Sequence, residues 1–404
     1  MKIKINKGTA KGIVDAPASK SMAHRLLICA SLAKGQSKVN SLAFSQDIKA
    51  TIDCMSLMGA NIKLDGDTAT ITGIDGKING SNDYCCRESG STLRFIIPIL
   101  MLSDQKHSLT GYGRLMKRPM QVYEDIAKKA GIKYETKDDI ITIEGKLKSD
   151  IYEIKGDISS QFISGLLFAL PLLDGDSIIK ILPPVESRSY IDLTLSAMRS
   201  FGIDINWHDE TTIKISGNQQ YKAQDMRVEG DYSNAAFLDF FAYFGGDVKV
   251  QNLNENTLQG DSVYRSYFAA LDGGNPTLDV SNCPDLAPIL MTLAAAKHGC
   301  TLKGTRRLKI KESDRGVVMA QELSKFGAVI DVFEDEIIVR SHCPLHTPNE
   351  LLCGHNDHRV VMSMACLSTI YGGEVDEAEA VAKSFPDFFD YMIKLGFEVE
   401  KHDD

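Results

Sequence analysis

No apolar run in this 404-residue chain approaches the roughly 18 residues that a membrane-crossing helix needs, so none is expected. The opening MKIKINKGTA has no apolar signal core and no transit-peptide character. CxxC is absent and the nine cysteines are odd in number, which predicts free thiols in a reducing cytoplasm. The vicinal Cys85-Cys86 pair is the one arrangement with a redox reading. Positive charge is also scarce. With 45 Lys and Arg against 54 Asp and Glu the net charge is −9, which argues against general nucleic-acid binding. His355 and His358 stand three apart with no second ligand cluster. A catalytic metal needs about three protein ligands, so no metal or cofactor is expected.

What is present is ordinary globular composition, 43% hydrophobic and 25% charged, in a length that suits two domains. Six apolar segments recur: Leu26–Leu32, Leu93–Leu102, Phe162–Leu173, Ala235–Phe244, Leu286–Ala296 and Val360–Ile370. They lack a polar stripe and are predicted to be buried helices. Their lead-ins fall at Lys20, Gly90, Ser160, Ser233, Asp285 and Asp357, in steps of 70, 70, 73, 52 and 72 residues. A second series runs out of phase. Gly59, Gly131, Gly202 and Gly327 each open an alternating strand, an acidic turn and a second strand, with Gly274 and Gly396 as weaker copies. Two series with one period predict six αβ units.

The last unit ends after Gly396-Phe-Glu-Val-Glu, before a second strand, and Lys2-Ile-Lys-Ile is predicted to supply it. That brings the termini into one domain. The expected organisation is 1–18 with 230–404 as a terminal domain and 19–229 as a middle domain. Each holds three units, with crossovers near 14–19 and 226–231. The alternative, a continuous six-unit solenoid, leaves charged strands with awkward ends.

The segments leading into the apolar helices are polar. Helix starts present unpaired N–H groups and partial positive charge, and several facing one cleft would make an anion site. Ser19-Lys20-Ser21 with Arg25, Ser89-Gly90-Ser91-Thr92 and Ser159-Ser160-Gln161 each fit either this role or plain capping. Gly90 would let backbone N–H groups approach a ligand. Arg114 and Arg118 lie in a Gly- and Pro-marked loop, and Ser187-Arg188-Ser189-Tyr190 is another polar lead-in. Asp285 is either a cap or a general base. Lys311-Glu312-Ser313-Asp314-Arg315 packs two cations and two carboxylates into five residues. Read alone it is a solvated i,i+4 ladder; beside the other lead-ins it reads as an anion site with a proton-transfer group.

Taken in order, these motifs resemble one family across the full chain, the EPSP synthases (3-phosphoshikimate 1-carboxyvinyltransferases). Further matching stretches are Arg94, Leu109-Thr110-Gly111, Arg118-Pro119, Tyr190-Ile191-Asp192, Asn356-Asp357-His358-Arg359 and Lys383-Ser384-Phe385-Pro386. The resemblance implies an α/β fold, a two-domain inside-out α/β barrel of six βαβαββ units with buried helices, outer sheets and a cleft that closes on substrate. It implies transfer of the enolpyruvyl group of phosphoenolpyruvate to the 5-hydroxyl of shikimate 3-phosphate, on the route to chorismate and aromatic amino acids. By motif, Lys20, Ser21, Arg25, Ser159, Ser160, Ser187, Asp285, Arg307 and Lys311 would hold shikimate 3-phosphate. Lys20, Gly90, Arg114, Gln161, Arg315, Arg359 and Lys383 would hold phosphoenolpyruvate. Asp285 is expected as base, Glu312 as acid and Lys20 as assistant at the phosphate. The small Gly90 implies sensitivity to glyphosate. A cytoplasmic monomer with no nucleic-acid or membrane partner is expected. Glu88 and Arg307 depart from the family, since Asn stands at the first in many members and at the second in some. UDP-N-acetylglucosamine 1-carboxyvinyltransferases share fold and donor. They typically carry Lys-Asn in the first lead-in and a Cys in the catalytic loop, whereas here Lys20-Ser21 stands and Gly111–Pro119 has no Cys.

Overall fold

Residues 1–402, those described by the computed structural model, divide into two units. One is Ala18–Glu229; the other joins Met1–Pro17 to the chain from Gly230 onward. Each has its own apolar core. Mixed helices and sheets make the chain an α/β protein.

In the first unit the helices alternate in character. α1 (Lys20–Leu32), α3 (Gly90–Leu100) and α5 (Ser160–Ala169) are buried almost all round. α2 (Gln46–Leu57), α4 (Gln121–Ala130) and α6 (Arg188–Ser200) each keep an exposed polar face. The first kind came from apolar runs without a stripe, as expected of interior helices. α3 and α5 approach closely at Gly165, where a Cβ would lie 2.3 Å from both Arg94 O and Tyr123 OH.

Three four-stranded sheets in this unit share one order, a parallel pair followed by an antiparallel hairpin. One runs Asp83–Cys85, Lys106–Thr110, Ile140–Glu144, Lys133–Lys137. Another runs Ile151–Lys155, Ser177–Leu182, Thr212–Ile215, Asn206–Trp207. The third runs Met226–Arg227, Gln36–Asn40, Thr68–Thr72, Asn61–Asp65.

The other unit holds α7 (Tyr232–Asp239), α8 (Tyr264–Gly273), α9 (Ala287–Ala296), α10 (Arg315–Ser324), α11 (His358–Tyr371) and α12 (Phe388–Lys394). Its four-stranded sheet, Thr277–Asp279, Cys300–Lys303, Glu336–Val339, Ile330–Val332, repeats the same order. Lys2–Ile5 lies antiparallel between Gly373–Val375 and Val399–His402, pairing Ile3 with Val375 and Lys401. The first strand of the chain therefore supplies the strand missing after Gly396.

Chain geometry explains the uneven spacing. Lys11–Asp15 pairs in parallel with Asp247–Gln251, a two-stranded sheet that never gains a hairpin. The fourth repeat is short because that hairpin is missing. The glycine series has the same explanation. Gly59, Gly131, Gly202, Gly327 and Gly396 all take positive φ at the ends of outer helices, where a left-handed residue terminates the helix. Gly274 has φ 168, ordinary extended backbone, and leads directly into Thr277–Asp279. It is not a copy of the others.

Candidate active-site clusters

In the Ala18–Glu229 unit, serines cap the helix starts. Ser19, Ser45, Ser89 and Ser159 accept from the N–H groups of Met22, Ile48, Thr92 and Gln161. Ser187, before α6, sits at φ 53 and makes no such bond. A buried polar chain ties three of these starts together. His24 Nδ1 meets Thr51 Oγ1 at 2.7 Å, Thr51 meets Thr92 at 2.7 Å, and Thr92 Oγ1 donates to Ser89 Oγ at 2.8 Å. Lys20 Nζ donates to Asp47 Oδ2 at 2.8 Å, fixing α1 to the start of α2. Burial, with Lys20 and Arg25 nearby, holds the His24 imidazole well below its ordinary value, so it is neutral.

Arg25 is a hub between α1 and α6. Its Nε donates to Thr194 Oγ1 at 2.8 Å, and its Nη atoms donate to Ser21 O and Tyr190 O at 2.7 and 2.8 Å. Burial pulls this guanidinium down to about 10, against Tyr190 and Cys29.

Gly90 is a notch for guanidinium groups. A Cβ there would lie 2.7 Å from Arg118 Nη1 and 3.3 Å from Arg94 Nη1. Arg94 stacks on Phe162 at 5.0 Å and donates to Gln161 Oε1 at 2.8 Å, while Gln161 Nε2 donates to Ser91 Oγ at 2.9 Å. Arg114, expected to serve here, is exposed at the start of the short helix Leu115–Lys117. Of the two loop arginines, the one that reaches Gly90 is Arg118, four residues on. Both arginines were visible in sequence, but the turn between them, which decides which one faces Gly90, was not. Glu88 turns toward Gly113, where a Cβ would stand 2.8 Å from its Oε2.

The other unit carries a denser network. Lys311 does not lie on a helix with Arg315; its backbone is extended and α10 begins at Arg315, capped by Asp314. The two meet through Asp285 instead. Lys311 Nζ and Arg315 Nη1 both donate to Asp285 Oδ1, at 3.0 and 2.8 Å, and Arg359 Nη2 stands 3.8 Å from Oδ2. Arg315 Nη2 also donates to Glu312 at 2.7 Å, and Arg315 Nε to Asp357 at 2.9 Å. Asp357 caps α11 and accepts from Ser313 Oγ at 2.9 Å. Arg359 Nη1 reaches Asn234 Oδ1 at 3.4 Å, and Lys383 Nζ donates to Asn356 O at 2.7 Å. Arg307 Nη2 donates to Ser281 O at 2.6 Å, bracing the segment that leads to Asp285.

Electrostatics follow from this geometry. Burial alone would raise the Asp285 carboxyl, but Lys311, Arg315 and Arg359 outweigh it and hold it well below the usual carboxylate range. Burial lowers the Lys311 ammonium, with Asp285 opposing. For Arg315 burial is overcome by Asp357, Glu312 and Asp285, which raise it further. A carboxylate ringed by three cations suits ligands that bring competing negative charge.

Asp47, Asn234 and Asp357, each at a helix start, carry no sequence signal of a site role. A carboxylate or amide at a helix start reads first as a cap, and only the fold shows which cation it meets.

The sequence matches the family EPSP synthase (3-phosphoshikimate 1-carboxyvinyltransferase) over residues 5–392. It is 40% identical to 3-phosphoshikimate 1-carboxyvinyltransferase of Clostridium beijerinckii, covering 98% of this chain and 97% of that one. It is 40% identical to that of Clostridioides difficile, covering 99% and 98%. The fold matches an EPSP synthase from Acinetobacter baumannii at TM-score 0.80 and 23% identity, over 100% of both chains. It also matches the enolpyruvyl transferase NikO from Streptomyces tendae at TM-score 0.79 and 14% identity, over 99% and 98%. Family match and full-length identity together make this chain a member of the EPSP synthase (3-phosphoshikimate 1-carboxyvinyltransferase) family.

Proposed function

We propose that the chain transfers the enolpyruvyl group of phosphoenolpyruvate to the 5-hydroxyl of shikimate 3-phosphate, releasing phosphate, through the residues named here. The observation that carries the residue assignment is Asp285 held by Lys311, Arg315 and Arg359. Two substrates bearing two carboxylates and two phosphates need converging cations, and Arg meets such groups with paired N–H donors.

Shikimate 3-phosphate is assigned to Lys20, Ser21, Arg25, Ser159, Ser160, Ser187, Asp285, Arg307 and Lys311. Phosphoenolpyruvate is assigned to Lys20, Gly90 and Gln161, and to Arg315, Arg359 and Lys383. Arg118 takes the role first expected of Arg114, because it is the loop arginine that lies against Gly90.

C3 of phosphoenolpyruvate gains a proton as the hydroxyl oxygen adds at C2 and gives its own proton to the base; the tetrahedral adduct then loses phosphate from C2 and a proton from C3, which restores the double bond. Asp285 is the base toward the hydroxyl. A carboxylate tied to three cations is a weak base. Arriving substrate anions compete for those cations and return basicity to Asp285 when it is needed. Glu312, bonded to Arg315, is the acid at C3, and Lys20 assists at the phosphate. The nine free thiols support a reducing, cytoplasmic setting, and the family resemblance is what supports a monomer.

Phosphate release from the two substrates tests the reading. Release should require shikimate 3-phosphate. A folded sample that releases none, or that accepts UDP-N-acetylglucosamine instead, overturns it.

A further inference from the structure

The segment Cys353–Asp357 delivers Asp357 to Arg315 and sets the start of α11, from which Arg359 projects. Its backbone is unfavourable. His355 and Asn356 are consecutive non-glycine residues at φ 50 and 49, a region that side chains rarely adopt. Such backbone persists only where its surroundings fix it.

Two carboxylates do the fixing. Glu322, buried on α10, accepts from Cys353 N–H at 2.8 Å, and its other oxygen meets His355 Nε2 at 2.9 Å. Glu377, itself at φ 53, accepts from Asn356 N–H at 2.8 Å and from the Cys353 thiol at 3.6 Å. Burial raises that thiol and Glu377 adds to the effect, against the His355 N–H, so it stays a protonated donor.

Both carboxylates stand on elements that also carry an assigned ligand cation. Glu322 lies seven residues after Arg315, two turns along one face of α10. Glu377 immediately precedes the short helix Ala378–Lys383, whose last residue donates to Asn356 O. One rigid helix therefore fixes both Arg315 and the segment that brings Asp357 to it. A second short element does the same for Lys383.

We propose that Glu322 and Glu377 are positioning residues for the enolpyruvyl transfer, clamping Cys353–Asp357 so that Arg315, Arg359 and Lys383 keep the spacing that binds phosphoenolpyruvate. The inference rests on the function proposed above. Neither carboxylate touches substrate in this assignment; both act through the segment they hold.

The test titrates phosphoenolpyruvate at saturating shikimate 3-phosphate in Glu322→Ala and Glu377→Ala, with shikimate 3-phosphate binding measured by calorimetry. Displacing supporting groups commonly costs on the order of 10- to 100-fold, so kcat/KM for phosphoenolpyruvate should fall by that much. Shikimate 3-phosphate affinity should fall far less, since only Asp285 and Lys311 among its assigned ligands adjoin the displaced cations, while Lys20, Ser21, Arg25, Ser159, Ser160 and Ser187 do not. Unchanged kcat/KM overturns the proposal, as does parallel weakening of both substrates. If the alanine variants do not fold, Glu322→Gln and Glu322→Asp decide. Gln keeps one oxygen at full reach for the Cys353 N–H and turns its amide nitrogen to His355 Nε2 in the acceptor tautomer, so it should lose less than Asp. Asp withdraws the acceptor by one methylene and should lose phosphoenolpyruvate affinity. Equal behaviour of the two overturns the clamp. A wild-type chain that releases no phosphate overturns the functional reading and this inference with it. An active wild type with indifferent variants overturns the clamp alone.

Discussion

Arg315 lays its Nε and Nη2 along the two oxygens of Asp357, at 2.9 and 3.3 Å, and both side chains are almost sealed from solvent. The pair ties the start of α10 to the start of α11. Asp357 spends its remaining acceptor capacity on Ser313 and on the Arg359 N–H. Removing Asp357 leaves Arg315 its bonds to Asp285 and Glu312 but strips the acceptor from Arg315 Nε, Ser313 Oγ and the Arg359 N–H, which costs about 2–3 kcal/mol. Asp357→Ala should lower unfolding free energy by that order in denaturant titration. Arg315→Lys should also destabilise, because an ammonium has no planar fork to span both oxygens. A loss below about 1 kcal/mol for Asp357→Ala would place this pair with weak surface bridges instead.

Asp285 gives a separate prediction. Asp285→Asn keeps shape and removes the charge that engages Lys311, Arg315 and Arg359. We expect kcat to fall by roughly 10²–10⁴-fold, the usual range for a general base. Binding of both substrates should weaken far less, since the variant frees cations. Steady-state kinetics beside calorimetry separates the two; intact kcat with weak binding sinks the assignment. Stability carries the same signature. A carboxyl held below its unfolded value adds stability that is complete above about pH 4 and is lost as pH falls through the folded value. The acid-side loss should shrink in Asp285→Asn.

How far the sequence reaches is visible in these same residues. Apolar runs without a stripe marked α1, α3 and α5, because burial on all sides erases the helical period that exposure would impose. The outer helices were marked only by the glycines that end them. The motif order placed Lys20, Gln161 and Arg359 among candidate ligands. Pairings across the fold had no sequence signal. Nothing in Asp47 announces Lys20, and nothing in Glu322 announces Cys353, which lies 31 residues away. Arg114 and Arg118 show the limit most clearly. Identical chemistry four residues apart is separated only by the turn of a short 3-10 helix.

That turn is open to experiment. Arg118→Ala should lower kcat/KM for phosphoenolpyruvate by about 100-fold, as loss of a charge-assisted ligand contact does. Arg114→Ala, at an exposed position, should change it by less than about threefold. The reverse ranking would restore Arg114 as the ligand. Gly90→Ala probes the same notch from the other side. Its Cβ would sit 2.7 Å from Arg118 Nη1, so the guanidinium must move and the KM for phosphoenolpyruvate should rise.

His24 provides a test away from the ligands. It is buried beside Lys20 and Arg25, joined through Nδ1 to Thr51, and its folded pKa lies well below the ordinary value. The unfolded chain therefore takes up a proton that the folded chain refuses. Stability due to this group is complete above about pH 6.5 and falls as pH drops below it, by up to about 1.4 kcal/mol per pH unit. His24→Asn retains a polar partner for Thr51 and cannot titrate. Chemical denaturation at pH 7 and pH 5 should show a smaller acid-side loss in the variant than in wild type. Equal losses would mean that His24 accepts its proton inside the folded chain. The chain His24–Thr51–Thr92–Ser89 would then have to tolerate a charge between α1 and α3.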